Sequence, residues 1–164
     1  MRRIAAAVGA VTVMLFSASL LAQANFSGKW APDTEKNAAA MAAMAGAGGG
    51  GAGGRMGGGG RGGGTGPMTI TMDAKSLKIE RTGQDGAVQT QTYALDGTES
   101  KNMMMGRGGQ TEQVSKAKLD GAKVVITTTT PNGDQVASWY MEGEWLVNER
   151  AIGGNALKTY YKKG

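Results

Sequence analysis

From Pro67 to Gly164 the chain is cut by turn-forming residues at near-even spacing, and this regularity narrows the choice of fold more than any other feature. The turn signals are Asp73-Ala74-Lys75, Gly83-Gln84-Asp85-Gly86, Asp96-Gly97, Gly106-Arg107-Gly108-Gly109, Asp120-Gly121, Pro131-Asn132-Gly133, Glu142-Gly143 and Gly153-Gly154. Asp-Gly and Asn-Gly pairs suit tight hairpins, because asparagine and glycine take up positive φ at little cost. The stretches between them are rich in Thr, Val, Ile and Tyr, as in Val124-Val125-Ile126-Thr127-Thr128-Thr129-Thr130. This pattern predicts strands over 68–73, 76–82, 87–95, 97–104, 110–119, 122–130, 134–141, 144–152 and 155–162. A short opening strand around Phe26–Trp30 makes ten. Short strands joined by hairpins read as an up-and-down antiparallel sheet. Closing that sheet into a barrel removes its two exposed edges. Ten strands also enclose more volume than side chains comfortably fill, which leaves room for a ligand.

Ahead of this pattern, residues 1–24 read as a signal peptide. Met1-Arg2-Arg3 is followed by an apolar run from Ile4 to Ala22, and Ala22-Gln23-Ala24 supplies the small-x-small pattern of a cleavage site. The expected location is therefore periplasmic or secreted, with no stable membrane insertion once the signal is removed. The chain has no cysteine, so the fold rests on its own core even where disulfides could form. Removing Arg2 and Arg3 takes the formal net charge from +5 to +3, an ordinary balance that gives no electrostatic case for nucleic acid. Arg55, Arg61 and Arg107 each sit among glycines, but no aromatic residues are interleaved with them as single-strand binding needs.

Residues 25–164 form a single domain on this reading, with an insert over 32–66. Its first half, Ala38-Ala39-Ala40-Met41-Ala42-Ala43-Met44-Ala45, has high helix propensity, and Asp33 is placed to cap it. From Gly46 to Gly66, 15 of 21 residues are glycine. Such a stretch has little side chain to bury and much entropy to lose, so it is expected to be a flexible loop. Its G-x-G-x-x-G matches follow from composition, since no buried strand precedes them and no helix follows.

Phe26-x-Gly28-x-Trp30 at the start of an antiparallel barrel resembles the G-x-W signature shared by lipocalins, avidins and fatty-acid-binding proteins, together called calycins. Further on, Lys118-Leu119-Asp120-Gly121-Ala122-Lys123-Val124-Val125, Asn132-Gly133-Asp134, Met141-Glu142-Gly143-Glu144-Trp145-Leu146 and Leu157-Lys158-Thr159-Tyr160-Tyr161-Lys162 are similar to the last four strands of a fatty-acid-binding protein. The helix-prone insert falls where that family carries its helical lid. Lipocalins proper have eight strands and a following helix, whereas this pattern ends in a strand. The opening also resembles avidin, but no matching set of biotin-contacting residues follows. The chain is similar as well to short exported bacterial lipocalin-like domains.

The resemblance implies a barrel that binds a small apolar or amphipathic molecule, without catalysis or cofactor. Fatty-acid-binding proteins hold the ligand carboxylate with an Arg-x-Tyr pair on the last strand, and the matching positions here are Lys158 and Tyr160. Lysine keeps the charge but loses the bidentate fork. The family's second arginine would fall near Trp139 or Tyr140, where this sequence has none. On these grounds Trp30, Trp139, Tyr140, Lys158 and Tyr160 are the expected ligand contacts.

The absence of histidine and cysteine excludes His-assisted serine or cysteine nucleophiles and leaves no nitrogen or thiolate ligands for zinc. Ser115-x-x-Lys118 has a nucleophile–base spacing, but on a strand the two face opposite sides. Met103-Met104-Met105 beside a glycine-rich turn is a candidate Cu(I) thioether cluster, although adjacent strand residues alternate faces. The competing function class is an envelope interaction protein with a filled barrel.

Overall fold

A computed structural model describes residues 24–46, 66–83, 86–106, 109–152 and 155–164. The segment expected to be a signal peptide, apart from Ala24, and the glycine-rich residues 47–65, expected to be a flexible loop, lie outside them. The elements are β1 (Gly28–Pro32), α1 (Thr34–Gly46), β2 (Met68–Met72), β3 (Ser76–Thr82), β4 (Val88–Ala94), β5 (Asp96–Gly106), β6 (Gly109–Asp120), β7 (Lys123–Thr130), β8 (Gly133–Glu142), β9 (Trp145–Ile152) and β10 (Asn155–Lys163). The turn spacing thus places all ten strands, with bounds that differ by one or two residues. The opening strand starts at Gly28, and Phe26 leads into it from outside the ladder.

The strands form one antiparallel sheet in the order β4-β3-β2-β1-β10-β9-β8-β7-β6-β5. Its two edges, β4 and β5, come back together to make a nearly closed barrel, but they share no backbone ladder. Side chains of β5 take the ladder's place. Asn102 Oδ1 accepts the Thr92 N–H at 2.8 Å, and its Nδ2 donates to the Thr92 carbonyl at 3.1 Å. Ser100 Oγ accepts the Ala94 N–H at 2.9 Å. Backbone groups at a sheet edge need partners, and one amide side chain here supplies both a donor and an acceptor.

The same device recurs where β1 runs out. Its pairing with β10 ends at Pro32↔Tyr161, and Asn37 of α1 then takes over the β10 edge. Asn37 Oδ1 accepts the Tyr160 N–H at 2.7 Å, and Nδ2 donates to the Tyr160 carbonyl at 3.0 Å. The helix starts as the sequence predicts, with Asp33 Oδ1 accepting the Lys36 N–H at 3.0 Å. Asp33 also accepts from the Trp145 indole at 3.1 Å and pairs with Lys162 at 3.0 Å. Lys36 lies 3.6 Å above the Trp145 ring, so the first turn of α1 is clamped to the outer wall at β9 and β10.

Asp33 links this clamp to pH. The Lys36 amide first, and then Lys162, hold its carboxyl at about 2 against an ordinary 3.8, although burial opposes them. A carboxyl depressed in the folded state adds stability above its ordinary value, and that stability is lost as pH falls from about 3.8 through about 2. Acid titration followed by tryptophan fluorescence should therefore show a transition in this window, reporting the release of Trp145. The Asp33→Asn variant should lack it, and an unchanged transition there would remove Asp33 as its cause.

Glycine has a specific role at two hairpins. Gly121 (φ 60°) and Gly133 (φ 103°) turn β6 into β7 and β7 into β8 with backbone angles that other residues adopt only under strain.

The core is concentrated at one end of the barrel. Met72, Leu77, Leu95, Val124 and Leu146 lie beside the hairpins of that end and are buried, as are Phe26 and Trp30. Each such apolar side chain contributes about 1.5–3 kcal/mol. The Trp30 indole donates to the Phe26 carbonyl at 2.8 Å, which closes this end. At the opposite end Gly109–Glu112 of β6 and Gly133–Val136 of β8 are exposed at every position. Exposure on both faces of a strand means that its barrel side also meets solvent. The barrel is plugged at one end, and at the other the described strand ends of β6 and β8 are exposed.

Candidate ligand-binding site

Cross-strand register decides which side chains reach the interior. On the last three strands, Leu146 of β9 stands between Met141 and Tyr161, and Asn148 stands between Trp139 and Thr159. Because Trp139, Leu146 and Tyr161 belong to the core, this face points inward, and Arg150 and Leu157 share it. On β3 the same alternation carries Leu77 and Ile79 inward and Arg81 with them. On β4 it carries Gln91 and Tyr93.

Two guanidinium groups therefore enter one barrel. Both act near Tyr161, whose hydroxyl is pushed up by burial and drawn back by the charges of Arg81 and Arg150 and by a hydrogen bond from Arg81. Burial likewise pushes Tyr93 up to about 12, with Arg81 opposing. Arg81 Nη1 donates to Gln91 Oε1 at 3.0 Å, and its Cζ lies 5.9 Å from the Trp139 ring centre. Gln91 in turn donates to Met104 Sδ at 2.8 Å, which reaches across the β4–β5 seam.

The charges of these arginines are unbalanced. No inward position of the described strands carries a carboxylate. Each ion pair among the described residues is made by a lysine, namely Lys78, Lys101, Lys116, Lys158 or Lys162. Nε of Arg81 and Nε of Arg150 are buried without a hydrogen-bond partner. The Arg150 side chain has no hydrogen bond to any described residue. Arginine stays protonated in proteins, so the site cannot relieve itself by losing a proton. The inward face therefore holds two positive groups, each with an unpaired Nε.

The residues expected from the sequence divide between the two faces. Trp30 and Trp139 are interior, Trp30 at the plugged end and Trp139 beside Arg81. Tyr140, Lys158 and Tyr160 are on the outer face, in the row that holds Val147. There the Tyr140 hydroxyl donates to Glu149 at 2.6 Å, and Lys158 donates to Glu142 at 3.2 Å. Tyr160 lies under Lys36 of α1. This arrangement is an external polar cluster over β8–β10, and the structure does not bring Lys158 or Tyr160 to the barrel interior. Their interior counterparts on β10 are Thr159 and Tyr161. The methionines separate as well. Met103 is exposed on the outer face and Met104 points to the seam, while the Met105 side chain lies outside the described residues. Ser115 is buried against Thr128 at 2.9 Å, on the face opposite Lys118.

Sequence reasoning passed over Arg81, Arg150 and Tyr161. The signal was local: Leu77-x-Ile79-x-Arg81 and Leu146-x-Asn148-x-Arg150 each put an arginine in phase with inward residues. Among the described residues no group of acidic side chains is arranged to hold a metal ion, and no helix is long and apolar enough to cross a membrane.

No protein-family model matches the chain, and no curated protein sequence matches it. Solved structures do match. A mutant of the REP1-NXSQ fatty acid transporter superposes with a TM-score of 0.56 at 15% identity, covering 84% of this chain and 97% of that one. The REP1-NXSQ fatty acid transporter itself gives 0.54 at 16% identity, over 84% and 95%. Wild-type fluorescent protein UnaG gives 0.52 at 12% identity, over 85% and 97%. At these identities the likeness is one of fold. The chain shares the ten-stranded, nearly closed antiparallel barrel fold of these structures.

Proposed function

We propose that the protein is an exported, non-catalytic carrier of a small amphipathic acid. The apolar body of the ligand occupies the barrel, and its carboxylate lies against Arg81 and Arg150. The observation that carries this reading is the pair of interior guanidiniums with no carboxylate to balance them. Both arginines are half-buried with a buried, unpaired Nε, and a charge partly withdrawn from water is costly unless something neutralises it. Support also comes from the exposed strand ends of β6 and β8 and from the fold shared with a fatty acid transporter. Export rests on the charged, apolar and small-residue segments of Met1–Ala24. The non-catalytic part rests on a chain with neither histidine nor cysteine.

Hexadecanoic acid and hexadecanol separate the roles of barrel and arginines, because they share a tail and differ at the head. In titration calorimetry the acid is expected to bind at least about tenfold more tightly, in keeping with about 1.5–3 kcal/mol for hydrogen bonds to charged groups. Equal affinities would remove the arginines from the binding reading. Failure of both to bind would remove the carrier reading altogether.

A further inference from the structure

Most polar side chains on the barrel interior are already used by the protein. Gln91 bonds Arg81 and Met104, Asn102 bonds the Thr92 backbone, and Ser115 bonds Thr128. Two are not. Asn148 is 6% exposed and Thr159 is 7% exposed, and neither side chain hydrogen-bonds any described residue. They are direct neighbours across the β9–β10 ladder, with the Trp139 position on the other side of Asn148. On the same face Arg150 lies two residues to one side of the pair, opposite Leu157, and Tyr161 two residues to the other, opposite Leu146. An asparagine and a threonine side by side on the inward face, neither bonded to a described residue and neither with its polar atoms fully sealed off, form a pair free to bond a group inside the barrel.

We propose that Asn148 and Thr159 form a second polar subsite, which selects amphipathic acids carrying a hydroxyl or oxo group on the chain. The inference rests on the carrier reading and deepens it. Two residues along a strand span about 7 Å, which sets the scale of the separation between the anionic head at Arg150 and the second group. The asparagine amide offers both a donor and an acceptor, and the threonine hydroxyl offers either, so the pair can bond an alcohol or a carbonyl. An unsubstituted hydrocarbon chain leaves all of these groups unpaired in a space from which it has displaced water. A site built to bond a polar group rejects the analogue that lacks it far more strongly than an apolar pocket rejects an extra methylene.

The test is titration calorimetry with hexadecanoic acid and a set of its mid-chain monohydroxylated isomers, on the wild-type protein and on Asn148→Leu and Thr159→Val. Thr159→Val keeps the side-chain shape and serves if Asn148→Leu does not fold. At least one hydroxylated isomer is expected to bind about tenfold or more tightly than hexadecanoic acid. Either substitution should bring that ratio towards one, while affinity for hexadecanoic acid itself stays the same or rises. A preference for the unsubstituted acid in the wild type, or a ratio that neither substitution changes, overturns the subsite. If both classes of acid bind equally, the subsite fails and the carrier reading stands. If none binds, the carrier reading fails and the subsite with it.

Discussion

Replacing Arg150 by methionine is expected to weaken binding of a long-chain carboxylate about 10- to 100-fold while leaving the protein as stable as before or more so. The two halves of this expectation have one cause. Arg150 has no hydrogen-bonded partner among the described residues, and its Nε is buried unpaired. Arg150 is half-buried, so in the empty barrel it carries a partial desolvation cost that no protein hydrogen bond offsets, and apolar replacements of buried charges are often neutral or stabilising. With an anion in place the same group supplies charge-assisted hydrogen bonds of about 1.5–3 kcal/mol, which methionine cannot make. Calorimetric titration and thermal unfolding of the same samples read the two quantities separately. Arg81 should behave differently. It bonds Gln91 and Met68, so Arg81→Met loses affinity similarly but also strands the Gln91 carbonyl, and no gain in stability is expected. A marked loss of stability in Arg150→Met with unchanged ligand affinity would make Arg150 a structural residue and sink its assignment to the site.

The second large effect is at the seam. Asn102→Leu keeps side-chain volume and removes the amide that satisfies both the N–H and the carbonyl of Thr92. Leaving buried polar groups unpaired costs about 1–3 kcal/mol each. Thr92 is itself exposed, so water recovers part of that cost. A loss of about 2 kcal/mol follows, or about 4–8 °C in melting temperature for a domain of this size. Hydrogen exchange locates the effect. The Thr92 amide should exchange much faster in the variant, while amides in the β7–β8 ladder on the far side of the barrel should not change. Unaltered protection at Thr92 would show that the seam is held by something other than Asn102.

The two arginines and the seam show different limits of sequence reading. Each arginine sits in a clear inward phase, so its direction is legible from two residues on either side. That both act on Tyr161 is not legible, because β3 and β9 are four places apart in the sheet and meet only across the closed barrel. Asn102 and Asn37 carry no local mark of their roles either. Each bonds a backbone edge that exists only once the ladder stops short of it.

The last strand shows where the reading turned. Leu157-Lys158-Thr159-Tyr160-Tyr161 has adjacent tyrosines, so its own pattern does not say which set points inward. Resemblance to the fatty-acid-binding proteins selected Lys158 and Tyr160. The register, with Leu146 opposite Tyr161 and Val147 opposite Tyr160, places Thr159 and Tyr161 inside. In a sheet with a side-chain period of two, a shift of one residue exchanges the faces of the whole strand.

The sequence by itself determined the ten strands and their turns, because turn chemistry and β-branched runs act over a few residues. It also determined the cap of α1, through Asp33 and the alanines that follow. Only the tertiary structure decided which face of β10 is the inner one, which asparagines close the barrel, and that Arg81, Arg150 and Tyr161 share one interior. Those outcomes depend on hydrogen-bond register between strands distant in the chain, which no local pattern encodes.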